Sequence, residues 1–180
     1  MGTFHSRGLR GSTLEELINI TNAEYLKDAL AAVQKIPTPI TPTEIDKSRG
    51  VITLGYFEKK STVDYIGNVQ GVPICFDAKE TSLKSLPIQN IHPHQIEFMD
   101  SFCKQDGIAF IIVYFSAYDE YYFIDFDTIK NYYERSQNGE RKSIPYQNLN
   151  KNYIIRRKDK FLLHYLEALN TYMLDMEGEK

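Results

Sequence analysis

"STVDYIGNVQGVPICFDAKET", residues 61–81, reads as two strands joined by a turn. Residues 61–67 and 72–80 carry strand patterning, and "GNVQG" supplies the turn between them. The apolar residues are those of a core, yet Asp64, Asp77 and Lys79 stand among them. Residues two apart on a strand share a face, so Thr62 and Asp64 project together, as do Asp77 and Lys79. The turn brings the two pairs side by side. Two carboxylates so placed repel, and one pKa rises unless a cation sits between them. A hard divalent ion relieves that conflict. Mg²⁺ favours one or two carboxylates together with water and phosphate oxygens. It also activates water and offsets the charge growing on an attacked phosphodiester. Lys79 is placed to orient that water or to stabilise the transition state. The plain alternative is an exposed strand face with ordinary ion pairs.

Outward from this stretch, the chain reads as α/β. Ser12 followed by Glu15 makes a capping box that opens a helix with Leu14, Leu17 and Ile18 on its inner side. Pattern alone carries that helix to about Lys35, although "ALAAVQKI" also suits a short strand ending at "PTPITP". Residues 50–60 read as strand. Pro93 suits the first turn of a helix running to about Gln105 and stopped by Gly107. "GIAFIIVYF" and "YYFIDFD" read as two further strands, followed by a helix near 128–137. "RKSIPYQNL" reads as loop, and "DKFLLHYLEALNTYML" as a closing amphipathic helix. The order predicts a mixed β-sheet flanked by helices.

The 180 residues are 42% hydrophobic, enough for one core and one domain spanning 1–180. "IAFIIVYF" at 108–115 is far too short for a membrane span, and the basic start "MGTFHSRGLRGS" is unlike a signal peptide. Met1-Gly2 with Ser6 fits a loose myristoylation pattern, but Arg7 and Arg10 make residues 1–11 read as a flexible basic arm. Cys75 and Cys103 are outside any CxxC, which predicts a cytoplasmic protein, and Cys75 reads as a core residue. Net charge −3 argues against indiscriminate coating of nucleic acid. From Glu140 to Lys160, however, seven basic residues face two acids, so one basic surface suits a phosphate backbone. There is no glycine-rich phosphate loop, GxSxG elbow or cysteine cluster, and the His92–His94 pair has no third zinc ligand in view.

D-x(12)-D-x-K on paired strands resembles the PD-(D/E)xK core of restriction-endonuclease-like nucleases. "GSTLEELINITNAEYL", "KIPTPI", "YFEKKSTVDYIGNVQG", "FDAKET", "IHPHQIEFM" and "RKSIPYQNL" together resemble RecU, the Holliday-junction resolvase of Gram-positive bacteria. The similarity covers roughly residues 7–150, with a catalytic core at about 12–150. It implies a Mg²⁺-dependent endonuclease, with Mn²⁺ as a possible substitute, that resolves four-way DNA junctions by paired symmetric nicks. It makes Thr62, Asp64, Asp77 and Gln95 the metal site and Lys79 the transition-state residue, so that Asp64, Asp77 and Lys79 are catalytic. The family usually has Glu where this chain has Asp77, one methylene shorter, and the spacing to Gln95 is about one residue shorter. The resemblance also implies a homodimer, a RecA-type recombinase as a further partner, and a stalk hairpin at about 42–60 with "DKSRG" near its tip. Arg49 and Lys47 there, with Arg10, Arg141 and Lys142, are the expected DNA contacts. Two other readings remain: a less selective structure-specific DNA nuclease, and a non-catalytic junction-binding modulator of a recombinase.

Overall fold

The computed structural model describes residues 13–57 and 62–178. Helix α1 spans Leu14–Lys27. Its capping box is Thr13 with Glu16, one residue later than expected: Thr13 Oγ1 accepts the Glu16 N–H (3.4 Å), and Glu16 Oε2 accepts the Thr13 N–H (2.9 Å). Ser12 lies outside the described residues. The helix stops well before Lys35. The Leu30 N–H bonds back to Tyr25 O, and Ala29 turns left-handed (φ 56°). The next residues form strand β1 (Ala32–Lys35), the alternative that "ALAAVQKI" left open. Pairing with a distant strand outweighs local helix preference there.

Strands β2 (Ile40–Asp46) and β3 (Val51–Phe57) form a hairpin that is a sheet of its own. It begins two residues before the expected stalk, and residues 58–60 of that stalk lie outside the described residues. Every residue of β3 is exposed.

Strands β4 (Tyr65–Val69) and β5 (Val72–Thr81) are antiparallel, with Tyr65 opposite Phe76; β4 starts later than the expected 61–67 and takes in Gly67–Val69 of "GNVQG", which pair with Ile74–Val72. The turn is only Gln70-Gly71, both at positive φ (49° and 99°), and Asn68 Oδ1 accepts the Gly71 N–H at 2.8 Å. Such a two-residue turn matches the strand twist, and glycine meets the left-handed requirement without strain. Gly67 serves a different purpose. A Cβ there would stand 2.5 Å from Ala32 O, so glycine lets β1 pair against β4.

Strand β6 (Ser85–Pro87) follows, then helix α2 (Pro93–Cys103), which returns the chain to β7 (Ile108–Phe115), parallel to β5. Strand β8 (Glu120–Asp125) pairs antiparallel to β7, and helix α3 (Phe126–Gln137) starts on an Asp125 cap. "RKSIPYQNL" is more than loop: β9 (Ser143–Pro145) pairs with β6. Strand β10 (Ile154–Ile155) completes the main sheet, ordered β1-β4-β5-β7-β8-β10. Helix α4 spans Tyr165–Gly178, starting later than predicted. The preceding residues turn instead, with Asp159 at φ 52° and the His164 N–H bonded to Arg156 O at 2.9 Å.

Side chains alternate between the two faces of this sheet. On one, Phe76, Phe110 and Phe123 stack at 4.7 and 4.5 Å beneath α1 and α4, with Ile18, Tyr25 and Tyr165 fully buried. On the other, Cys75, Ile111, Val113 and Ile124 meet Ile96 and Met99 of α2 and Ile129 of α3. Cys75 is a core residue as expected, and burial pushes its thiol pKa up, away from nucleophilic use. No helix among the described residues is long and apolar enough to cross a membrane.

Candidate active site

The alternation that buries Cys75 also turns Asp77 and Lys79 toward the α2 face of the sheet. Asp77 is completely buried there. Asp64, immediately before β4, lies across from it because Tyr65 pairs with Phe76. The two residues are laced together through their backbones. The Asp64 N–H donates to Asp77 Oδ1 (3.2 Å), and the Ala78 N–H donates to Asp64 Oδ2 (3.0 Å).

Lys79 pairs with Asp77 Oδ2 from a largely covered position. Gln95 reaches the same oxygen, its Nε2 donating at 2.9 Å. Pro93 opens α2 with its fixed φ, which sets Gln95 in the first turn over β5. Gln95 Oε1 accepts the His92 N–H at 3.0 Å, so the amide presents its donor end to Asp77.

The Asp64 carboxyl pKa is pushed up to about 6, first by burial and then by the hydrogen bond to and charge of Asp77, against the pull of the Ala78 N–H and Lys79.

The sequence-predicted residues therefore divide. Asp64, Asp77, Lys79 and Gln95 come together. Thr62 is an exposed residue two positions before Asp64. Lys47 and Arg49 are exposed at the β2–β3 tip, where Asp46 Oδ1 accepts the Ser48 and Arg49 N–H groups (2.9 and 3.2 Å). Arg141 and Lys142 lie beside the loop that leads into α2, the Ile88 N–H bonding to Lys142 O at 3.0 Å. Arg10 lies outside the described residues. The basic run 140–160 is not one bare surface, because Lys158 pairs with Glu167 and Lys160 with Asp28 and Glu24.

Sequence reasoning passed over Glu80. Its carboxylate accepts the Leu14 N–H at 2.8 Å, fastening the first turn of α1 to the strand that carries Asp77 and Lys79. The partners are 66 residues apart, and no local pattern signals such a contact.

The family Recombination protein U, RecU, matches residues 9–171. The chain belongs to the RecU family. A Holliday junction resolvase RecU from Bacillus cytotoxicus is 42% identical over 149 residues, 81% of this chain and 74% of that protein. One from Staphylococcus epidermidis is 39% identical over 178 residues, 96% of this chain and 86% of that protein. A solved structure of the Archaeoglobus fulgidus Holliday junction resolvase Hjc overlaps at a TM-score of 0.38 and 10% identity, over 61% of this chain and 77% of that one, too distant to add to the family match. The expected α/β architecture, a mixed sheet flanked by helices with a hairpin that forms a sheet of its own, is the one this RecU chain forms.

Proposed function

We propose that this RecU protein is a metal-dependent endonuclease that resolves four-way DNA junctions in recombination and repair by paired symmetric nicks. The observation that carries this is the convergence of Asp64, Asp77, Lys79 and Gln95 on two adjoining strands and one helix start. A structural role accounts poorly for it. A buried carboxylate with a second one beside it costs the fold stability, a cost that a cation held between the two would relieve.

The donor set fits a hard divalent cation: two carboxylates of one site, one with its pKa raised by burial and then by the other, and no thiolate or imidazole among the four residues. Asp64 and Asp77 would hold Mg²⁺, with Mn²⁺ as a substitute, and Thr62 stands nearby in sequence as a further oxygen donor. The bound ion supplies Lewis acidity toward the scissile phosphate and a lowered pKa for its water. Gln95, expected in the metal site, has its oxygen engaged by the His92 N–H, and its amide N–H orients Asp77 rather than the ion. The Lys79 ammonium offsets charge on Asp77 and is placed to meet charge developing on the phosphate.

A four-way junction has two-fold symmetry, and two opposed cuts call for two sites, which supports a homodimer. The β2–β3 hairpin with Lys47 and Arg49 at its tip suits entry at the junction centre, and Arg10, Arg141 and Lys142 suit contacts to its arms. A cytoplasmic location and a RecA-type recombinase partner belong to the same reading.

The test is incubation with labelled four-way junction, flap and linear duplex, with and without Mg²⁺. Matched nicks in opposed strands of the junction, dependent on the metal, are expected. Equal cutting of all three substrates replaces this reading with a less selective nuclease. Tight junction binding without cleavage replaces it with a modulator.

A further inference from the structure

At the C-terminal end of β5, Tyr118 stacks on Tyr146 with ring centroids 3.7 Å apart and planes 13° from parallel. Tyr146 is held from below. Its hydroxyl donates to Glu120, its N–H bonds to Lys84 O at 3.1 Å, and its ring meets Phe115 and Tyr122 edge-on. Tyr118 remains 37% exposed, and the neighbouring loop offers Leu83 at 55% exposure and Lys84, also exposed. No packing requirement explains an aromatic pair, a bare leucine and a lysine together at a surface.

Their location gives them a use. Phe115, Tyr122 and Tyr146 belong to the face of the sheet toward which Asp77 and Lys79 point. The Ser116 N–H bonds to Thr81 O at 3.0 Å, so the turn bearing Tyr118 starts where β5 ends. Asp77 and Thr81 are four residues apart on that strand, about 13 Å at ~3.3 Å per residue. That distance spans about four stacked nucleotides at ~3.4 Å each, and fewer once the strand is unstacked. Single bases bind proteins by laying a π-face on an aromatic ring, with a nearby cation for the phosphate. Exposed apolar side chains such as leucine wedge between bases and hold them apart.

We propose that Tyr118, backed by Tyr146 and flanked by Leu83 and Lys84, is a stacking shelf for an unpaired nucleobase of the cleaved strand, a few nucleotides from the cut. At a branch point stacking is interrupted, so a base beside it unpairs at lower cost than one inside intact duplex. The shelf rests on the junction-nuclease reading and adds to it a device that fixes where along the strand the cut falls. Tyr118 is a positioning residue, since it lies away from the reacting phosphate.

The test compares Tyr118→Leu, which keeps apolar bulk on Tyr146 but removes the π-face, with Tyr118→Phe, which keeps the ring. Junction affinity is measured in an Asp77→Asn background, and cut positions are mapped in the active protein. Tyr118→Leu is expected to weaken junction binding about tenfold, the range for loss of one stacked base, and to spread the cut over neighbouring positions. Tyr118→Phe is expected to match the wild type in both, and neither to change the melting temperature. A Tyr118→Leu protein with wild-type affinity and cut position overturns the shelf, as does a Tyr118→Phe protein as impaired as the leucine variant. Photocrosslinking of the wild-type protein to a single-stranded oligonucleotide carrying 5-iododeoxyuridine decides the shelf separately. A crosslink at Tyr118 supports it even if the junction itself is not cut, and none at Tyr118 removes it.

Discussion

The Asp64 N–H donates to Asp77 Oδ1 while Asp77 Oδ2 takes the Gln95 amide and the Lys79 ammonium, so one buried carboxylate joins strand, helix and cation. Asp77→Asn keeps an oxygen for Asp64 but turns an NH₂ toward two donors. We expect cleavage to be abolished and junction binding to stay within a few-fold, because the DNA surface is unchanged. Near-normal Mg²⁺-dependent cleavage by this variant would remove Asp77 from the metal site.

Lys79 separates two functions that Asp77 combines. Lys79→Ala should lower the cleavage rate on the order of 10²-fold or more, as for loss of a transition-state charge contact. Mg²⁺ binding should survive, since an ammonium is not a ligand. Calorimetry showing metal affinity lost together with activity would make Lys79 a structural partner of Asp77.

Asp64 allows a test without DNA. Its folded-state carboxyl pKa, about 6, lies above the ordinary value of 3.8. The folded state therefore binds the proton more tightly than the unfolded chain, and stability falls as pH rises from about 4 through about 6. Asp64→Asn removes that titration. With chelator present, it should be more stable than the wild type at pH 7.5, by about 1 kcal/mol once solvent screening is discounted, and show little of that gain at pH 4. Thermal melts at the two pH values check this. An equal gain at both, or a loss at pH 7.5, would show that neither burial nor Asp77 disfavours the Asp64 charge.

How much of this was legible in the sequence depends on the range of the interaction. The β4–β5 pair, the α2 start at Pro93 and the buried role of Cys75 rest on local pattern, and the structure follows it. The features that departed were settled by distant partners. Residues 32–35 became strand because β4 offers an edge opened by Gly67. Residues 143–145 pair with 85–87, and nothing local marks either as strand. The start of α4 was displaced by the Arg156–His164 turn. In the candidate site, Asp64, Asp77 and Lys79 followed from strand alternation and a turn, whereas Gln95 needed the family resemblance. The direction of its amide, fixed by His92, and the Glu80 tie to α1 arise only in the folded chain.

The hairpin tip sets the last test. Asp46 binds the backbone of Ser48 and Arg49, which shapes the turn and leaves the Arg49 side chain exposed above it. If the tip only closes a hairpin, Arg49→Ala should alter stability and binding little, as most surface substitutions do. If it enters the junction centre, Arg49 meets phosphates of several strands at once, a contact that linear duplex does not offer. The variant should then lose about 1–3 kcal/mol of junction affinity, the range for a charge-assisted hydrogen bond, with duplex binding nearly unmoved. The salt slope for the junction should fall as well, because fewer counterions are released. Both affinities measured at two salt concentrations decide the matter. We expect a loss specific to the junction. An equal loss on both substrates would make Arg49 a general phosphate contact, and no loss on either would reduce the tip to a turn.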